Sequence, residues 1–128
     1  TSSTIPPFQH ESYGDNLRRC MRYCNVYSTE SAYGFFAPVS VNSTSVGNAM
    51  FTFTVPMRAI PSLAVSGTLN IYSGGGGDDA SGMVIDANSD DNDRVVCTVS
   101  GSGFTDDSAG FLRASNSTAV TVTWDSEL

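Results

Sequence analysis

Close to the end of the chain the sequence reads Val120-Thr121-Val122-Thr123-Trp124, with an apolar residue at every second position. The same alternation recurs over residues 51–55 and 95–100. Successive side chains of a β-strand point to opposite faces, so a period of two indicates a strand with one buried face. These three stretches predict an all-β domain.

Five weaker strand candidates complete the pattern, at residues 23–27, 33–41, 62–72, 83–87 and 110–114. Segments rich in Gly, Ser, Asn and Asp separate them and predict turns, at residues 42–48, 73–82, 88–93 and 101–108. No helical pattern lies between the strands, which excludes parallel crossover units. We therefore predict about eight strands in an antiparallel β-sandwich of the jelly-roll kind.

One short helix is predicted before the strands, over about residues 12–23. Ser12 is suited to cap it, and Asp15 stands near its positive end. A single apolar stripe follows at helical spacing, formed by Leu17, Cys20, Met21 and Cys24. We expect this stripe to pack under the sandwich or near the axis of an oligomer.

The length of 128 residues suits one domain. Residues 1–10 are polar with a Pro6-Pro7 pair and read as a linker from an upstream module, so the domain spans residues 11–128. The chain does not begin with Met, and we expect it to be a fragment of a longer polypeptide. No signal peptide and no apolar run of membrane length is present, so no membrane insertion is expected.

The net charge is −7, with no lysine and six arginines. A negative field repels phosphate backbones, so nucleic-acid binding is not expected. The acidity favours solubility or, alternatively, a cation-binding surface. Arg18, Arg19 and Arg22 fall outside the helical stripe, where they are either solvated or paired with carboxylates of a neighbouring subunit.

The motifs of cofactor and metal sites are missing. Three cysteines are an odd number and do not make a disulfide framework. With His10 as the only histidine, they also lack the spacing of a zinc site. We expect them to be buried apolar thiols in a protein that folds in a reducing cytosol. Residues 74–77 are glycines, but Asp78 and Asp79 follow where a phosphate loop needs Lys. The acidic turns lack the Gly and Glu that an EF-hand needs at fixed positions, so ordinary turn residues are expected there and a calcium site is the alternative. No metal and no cofactor are predicted.

Catalytic motifs are missing as well. His10 lies in the linker, and no Gly-x-Ser-x-Gly sequence occurs. A glycan-processing enzyme would need two facing carboxylates, which the acidic turn segments do not predict. Exposed aromatic residues would suffice for sugar binding, although packing in a core or an interface is the alternative; the candidates are Tyr27, Tyr33, Phe35, Phe36 and Tyr72. We predict a protein that is not an enzyme.

Three segments resemble phage tail-fibre and other virion structural proteins. From Pro7 to Tyr23 the chain reads Pro-Phe-Gln-His-Glu-Ser-Tyr-Gly-Asp-Asn-Leu-Arg-Arg-Cys-Met-Arg-Tyr, similar to a recurring joint in that family. Residues 55–63 are similar to its Pro-x-Met-Arg-Ala-x-Pro-Thr, and residues 111–128 to its terminus with a final Ala/Ser-Glu-Leu. This chain has Gln9, Asn16 and Met21 where the family has Glu, Glu and Gln. The Glu-Leu ending suggests a C-terminus.

The resemblance implies a non-enzymatic β-sandwich, usually trimeric, in a virion that is assembled in the host cytoplasm. A homotrimer is also suggested by Met50 and Val96, which lie opposite the apolar Phe51 and Val95 in the pleat. The partners would be other virion proteins and a polysaccharide or protein on the host surface. A purely structural trimerisation or capsid-surface domain is the alternative, and a glycan-processing enzyme is the second alternative.

Loop parity suggests where a receptor would bind. If the strands alternate in direction, residues 28–32, 57–61, 88–93 and 115–118 emerge far from the helix, and residues 42–48, 73–82 and 101–108 return toward it. Loops on a rigid scaffold commonly carry binding. The receptor-binding candidates are therefore the polar residues Glu30, Asp91, Asn92, Asp93 and Asn116, although ordinary turn residues are the alternative.

Overall fold

The computed structural model describes residues 7, 10–116 and 119–126, and for residues 87–90 it describes the backbone alone. The predicted linker therefore lies mostly outside the described residues, as do Ser117, Thr118 and the last two residues. One helix and nine strands follow in chain order: α1 (Tyr13–Met21), β1 (Cys24–Ser28), β2 (Phe35–Ser43), β3 (Val46–Thr52), β4 (Ser62–Ser66), β5 (Leu69–Ser73), β6 (Gly76–Asp90), β7 (Arg94–Gly101), β8 (Ser108–Ala114) and β9 (Thr121–Asp125). The predicted all-β class with one short N-terminal helix is confirmed.

The strands form a closed barrel and a separate small sheet. Six strands close the barrel in the order β2-β3-β7-β6-β5-β8, and three form a sheet in the order β1-β9-β4. Every recorded strand pair is antiparallel. This strand pairing does not confirm the two-sheet jelly roll, and nine strands are described where about eight were predicted.

The three-stranded sheet lies across one end of the barrel. The chain passes between sheet and barrel four times, through residues 29–34, 53–61, 67–68 and 115–120. Neighbouring barrel strands are antiparallel, so the start of β2, the end of β3, the start of β5 and the end of β8 lie at the same end of the barrel. All four segments therefore enter or leave the barrel at that end. We call this the sheet end. The opposite loop end carries the short connections at residues 44–45, 74–75 and 102–107.

The core fills the barrel and continues under the sheet. The alternating residues of β7 and β9 supply much of it, and Val95, Cys97, Val99, Val122 and Trp124 are all completely buried. At the sheet end the Trp124 ring lies 5.0 Å from Phe51 and 5.5 Å from Phe53, measured between ring centroids. At the loop end, Phe104 is buried, and its backbone amide donates to the carbonyl oxygen of Thr44.

One strand prediction and one turn prediction fail at glycines. Residues 62–72 were predicted as one strand, but Gly67 with a φ of +89° turns the chain and divides the segment into β4 and β5. Residues 73–82 were predicted as a turn, but only Gly74 and Gly75 turn, and β6 begins at Gly76. The glycine-rich stretch is therefore largely strand.

The helix begins as predicted, but its apolar stripe does not pack under the sandwich, and packing near an oligomer axis stays a prediction. The Ser12 hydroxyl accepts a hydrogen bond from the Asp15 amide at 3.2 Å, as an N-cap does. No residue of α1 is buried, and Leu17 is 45% exposed. The apolar stripe therefore does not lie under the β-strands, and the hydrogen bonds that attach the helix to the described body of the domain are at its C-terminal end.

That C-terminal end is held by three hydrogen bonds from the rest of the domain. The Asn25 side-chain amide donates to the Met21 carbonyl at 2.9 Å. The Arg22 carbonyl accepts from the Ser126 hydroxyl and from the Arg58 amide, each at 2.7 Å. Since Asn25 on β1 and Ser126, the residue after β9, contribute to this attachment, the helix is at the sheet end of the barrel.

The cysteines divide into two environments. Cys97 is buried, and loss of solvent raises the pKa of its thiol to about 12. Cys20 and Cys24 are exposed, contrary to the expectation of buried thiols, because the helix stripe on which Cys20 lies is itself uncovered. Within the described ranges, no helix has the length and apolar character needed to span a membrane.

Candidate functional site

Three of the five predicted receptor residues form a turn beside the helix. The Asn92 amide donates to the Asp91 carboxylate at 2.7 Å. The Asn92 carbonyl accepts from Met57, and the next amide along the chain, that of Arg58, donates to Arg22 at the helix end. Residues 88–93 are therefore not far from the helix, and that prediction is wrong.

Glu30 and Asn116 lie in two other connections at the sheet end, 29–34 and 115–120, which are hydrogen-bonded to each other through Thr29 and Val120. The loops do separate into the two predicted groups. The polarity is reversed, however, because β1 belongs to the small sheet and the chain enters the barrel at the same end as the helix. As receptor contacts, the five residues stay predictions.

The outer surface of β2, β8 and β5 carries a cluster of exposed aromatic rings around one arginine. We call it the aromatic face, and its members are Tyr33, Phe35, Tyr72, Phe111 and Arg113. The Arg113 guanidinium carbon lies 4.6 Å from the Tyr33 ring centroid and 4.5 Å from that of Tyr72. The Phe35 and Phe111 rings lie 5.1 Å apart. All four rings are exposed.

The strand register explains why these residues meet. Phe111 and Arg113 are two positions apart on β8, so their side chains share the outer face while Leu112 fills the core. Tyr72 is the register partner of Phe111 on β5, and Asn70 is the partner of Arg113. Apart from Tyr33, which lies in the connection before β2, the aromatic face is built on paired strands of the barrel, which hold it more rigidly than a loop would.

A group of hydrogen-bonded polar residues adjoins the aromatic face. We call it the polar floor, and it consists of Asn70, Asp79 and Ser115. The Asn70 side chain is only 4% exposed; its oxygen accepts from Arg113 Nε at 2.8 Å and its amide donates to Asp79 at 3.0 Å. The Ser115 hydroxyl donates to the same Asp79 oxygen at 2.6 Å. The buried amide is therefore satisfied at both ends.

Asp79 is an exposed carboxylate with a lowered pKa. The hydrogen bond from Ser115 contributes most, the bond from Asn70 is next, and the positive charge of Arg113 also lowers the pKa, while partial loss of solvent opposes them. The pKa is held below its usual 3.8, so Asp79 is negatively charged at neutral pH. Both recorded bonds reach Oδ1, and no described residue donates to Oδ2.

Gly77 makes room for the arginine. It lies on β6 as the register partner of Tyr72, and a Cβ atom there would overlap the Arg113 guanidinium and the Asn70 side-chain oxygen. The Arg113 side chain therefore crosses β5 to lie over the bare backbone of β6. A glycine that the sequence places in a turn-like run has a packing role in the strand.

Tyr33 holds its ring over Arg113 from a sparsely populated backbone conformation. Its φ is +61°, in the left-handed region that bulky residues rarely adopt. The turn is closed by a hydrogen bond from the Gly34 amide to the Ser31 carbonyl at 3.1 Å. Such conformations cost of order 1–3 kcal/mol and cluster at binding sites.

A groove of about 350 Å³ runs between β4 and β6, close to the polar floor. Its walls include Leu63, Val65, Leu69 and Met83, and no charged or aromatic side chain lines it. Among the described residues, no three His, Cys, Asp or Glu side chains come together as a metal site. The aromatic face therefore offers the richest chemistry on the described surface: four rings for stacking, with donors and acceptors beside them.

Tyr33, Phe35 and Tyr72 are among the sugar-binding candidates predicted from the sequence. The other members of the site were not predicted: Phe111, Arg113, Asn70, Asp79 and Ser115. The remaining two candidates, Tyr27 and Phe36, are half-buried and pack against the core. The missed residues lie two positions apart on neighbouring strands, as Asn70 and Tyr72 do on β5, which places their side chains on the same face of the sheet. That spacing becomes informative only when the register between β5, β6 and β8 is known.

Comparison of the whole chain with protein-family models, with curated proteins and with solved structures finds no match in any of the three.

Proposed function

We propose that this domain is a non-enzymatic binding module of a bacteriophage fibre or virion, and that its aromatic face contacts a polysaccharide on the host surface. The observation that carries the binding role is the stack of Arg113 between the Tyr33 and Tyr72 rings, beside the exposed Phe35–Phe111 pair. The virion assignment rests on the three segments that resemble phage structural proteins.

Saccharides suit this surface for two physical reasons. The apolar face of a sugar ring stacks on an exposed aromatic ring, and burying both removes apolar area from water. Sugar hydroxyls are donors and acceptors that need partners when they lose water, and Asp79 and Arg113 offer both kinds. Glu30 and Asn116 lie in the connections that carry Tyr33 and Ser115, where they would extend the contact.

We expect Tyr72→Ala to weaken saccharide binding about tenfold, because it removes one stacking ring and one side of the Arg113 stack. The measurement is a glycan array, followed by titration calorimetry on the sugars that bind. Val26→Ala is the matched control, since Val26 is 57% exposed on β1 of the small sheet, outside both the aromatic face and the proposed contacts between copies. Equal loss in both variants, or none in Tyr72→Ala, would contradict the assignment of this face.

The proposed assembly is a homotrimer held in part by the helix. Tyr13 and Leu17 are exposed on α1, and covering them would remove apolar surface from water. Arg18 and Arg19 lie on the same helix and Arg22 caps its C-terminal end; Arg19 pairs with Glu11 at 2.6 Å. In a chain of net charge −7, Arg18 and Arg22 would attract the acidic body of another copy. The exposed Met50 and the half-buried Val96 on β3 and β7 offer a second apolar contact.

We expect Leu17→Asp to weaken self-association without destabilising the isolated domain. The change puts a charge into the proposed contact between copies, whereas exposed positions usually alter stability by less than about 0.5 kcal/mol. Multi-angle light scattering should show a trimer for the unchanged chain and a monomer for the variant at the same micromolar concentration. A monomer for both would refute the proposed trimer.

A purely structural trimerisation or capsid-surface domain is the second candidate, and the uncovered helix is the observation that favours it. It predicts a trimer with no saccharide binding in the array. The jelly-roll sandwich also belongs to this proposal, as the architecture that the family resemblance implies.

A further inference from the structure

The polar floor bears on which saccharides the aromatic face accepts, an inference that rests on the proposed function. We infer that the ligand is an uncharged saccharide, held through neighbouring hydroxyl groups by Asp79 Oδ2 and Arg113, and that acidic saccharides are rejected.

Arg113 is already engaged by its surroundings. Its Nε bonds to Asn70, its guanidinium carbon lies 4.6 and 4.5 Å from the ring centroids of Tyr33 and Tyr72, and its charge contributes to lowering the pKa of Asp79. A carboxylate on an incoming sugar would reach this arginine only beside the negative charge of Asp79. Because Asn70 occupies Nε, the fork formed by Nε and a terminal nitrogen is not available for a bidentate ion pair.

Asp79 stays charged, and its Oδ2 accepts no hydrogen bond from the part of the chain that the structure describes. Ser115 and Asn70 both donate to Oδ1, which fixes the carboxylate so that Oδ2 is available to a ligand. A sugar hydroxyl donates to such an oxygen, whereas a sugar carboxylate is repelled by it. The chain's net charge of −7 adds a repulsion of the same sign at longer range.

The size of the surface also suits a saccharide. The open oxygen of Asp79 lies on β6 beside β5, while Phe111 lies on β8 on the other side of β5. Adjacent strands are about 4.8 Å apart, so a span of two strands matches one to two sugar rings. One edge of a bound sugar would then meet the polar floor, and its apolar face would lie on Tyr72 and Phe111.

The test is a glycan array that carries neutral hexose oligosaccharides beside uronic-acid oligosaccharides of the same linkage. We expect the unchanged domain to prefer the neutral member of each matched pair by about tenfold, and expect this preference to shrink as salt is raised from low to physiological concentration. Asp79→Asn should raise the relative binding of the acidic sugars several-fold. Asp78→Asn, the neighbouring position that points to the other face of the strand, is the control and should leave the preference unchanged.

The outcomes separate this inference from the proposed function. Binding of acidic sugars as tight as that of the neutral ones overturns the inference and leaves the saccharide-binding role in place. No binding of any sugar by the unchanged domain overturns both. If Asp79→Asn lowers the melting temperature, the salt dependence of the unchanged domain decides alone: a preference that does not change with salt contradicts an electrostatic origin.

Discussion

Replacing Trp124 with alanine is expected to destabilise the domain by about 3–5 kcal/mol, the range found when a large buried aromatic side chain is deleted. Trp124 is completely buried, and its ring packs against both Phe51 and Phe53 where the small sheet closes the barrel. The surrounding strands belong to two sheets and relax only in part, so a cavity would remain between them. Urea unfolding followed by circular dichroism gives the free energy of unfolding directly.

Trp124→Phe is the matched control for this result. It keeps an aromatic ring against Phe51 and Phe53, and it removes an indole N–H that is buried without a hydrogen-bond partner among the described residues. An unpaired buried donor costs about 1–3 kcal/mol, which offsets part of the lost volume. We therefore expect a much smaller loss than for alanine. Equal losses in the two variants would show that the ring contacts are not what stabilises the sheet end.

The second large effect is expected at Gly110, where β8 pairs with β5. A Cβ atom at this position would overlap the Tyr72 carbonyl group and lie 2.8 Å from the Ser73 Cβ, so the strands must move apart. Gly110→Ala should cost about 3 kcal/mol, the upper end of overpacking penalties, because backbone atoms cannot rotate away. The barrel would open at the strand pair that carries Tyr72 and Phe111, so saccharide binding should fall as well.

Gly82→Ala controls for the general effect of placing a side chain on a strand glycine. Gly82 lies on β6 and has no atom within 4 Å of the added Cβ. Alanine should therefore be neutral or stabilise slightly, since glycine in a strand loses more conformational freedom on folding. The free energies of unfolding of the two variants should differ by several kcal/mol. Similar values would mean that β5 and β8 are not packed as closely as the structure has them.

The fold class could be predicted where the two faces of a strand differ in polarity. The alternation at residues 95–100 and 120–124 identified β7 and β9, because each has one face in the core. The same signal does not distinguish a sandwich from a barrel, since both bury one face. The barrel closes because β2 pairs with β8 as well as with β3. No local pattern in the sequence of β2 predicts its pairing with the distant β8.

The site was predicted only in part because it depends on contacts between distant segments. Tyr33 and Tyr72 were candidates as aromatic residues, but their common partner Arg113 belongs to a strand whose register no sequence pattern fixes. Asp79 follows a glycine run, which predicts a turn. Only the structure shows that Gly77 lies on a strand beneath Arg113, so that Asp79 is on the same strand beside the arginine. Loop polarity failed for a similar reason, since the position of β1 in the small sheet follows from its pairing with β9.

The pairing of β1 with β9 also has a consequence for the order of events during folding. It joins Val26 to Thr123, residues at opposite ends of the described chain, and such distant contacts are slow to form because the intervening loop must close first. The barrel strands, from residue 35 to residue 114, all leave the ribosome before β9 does. We therefore expect the sheet end to stay unsealed in a nascent chain, with Phe51 and Phe53 uncovered, until β9 arrives. Aggregation during synthesis should be greatest in that interval.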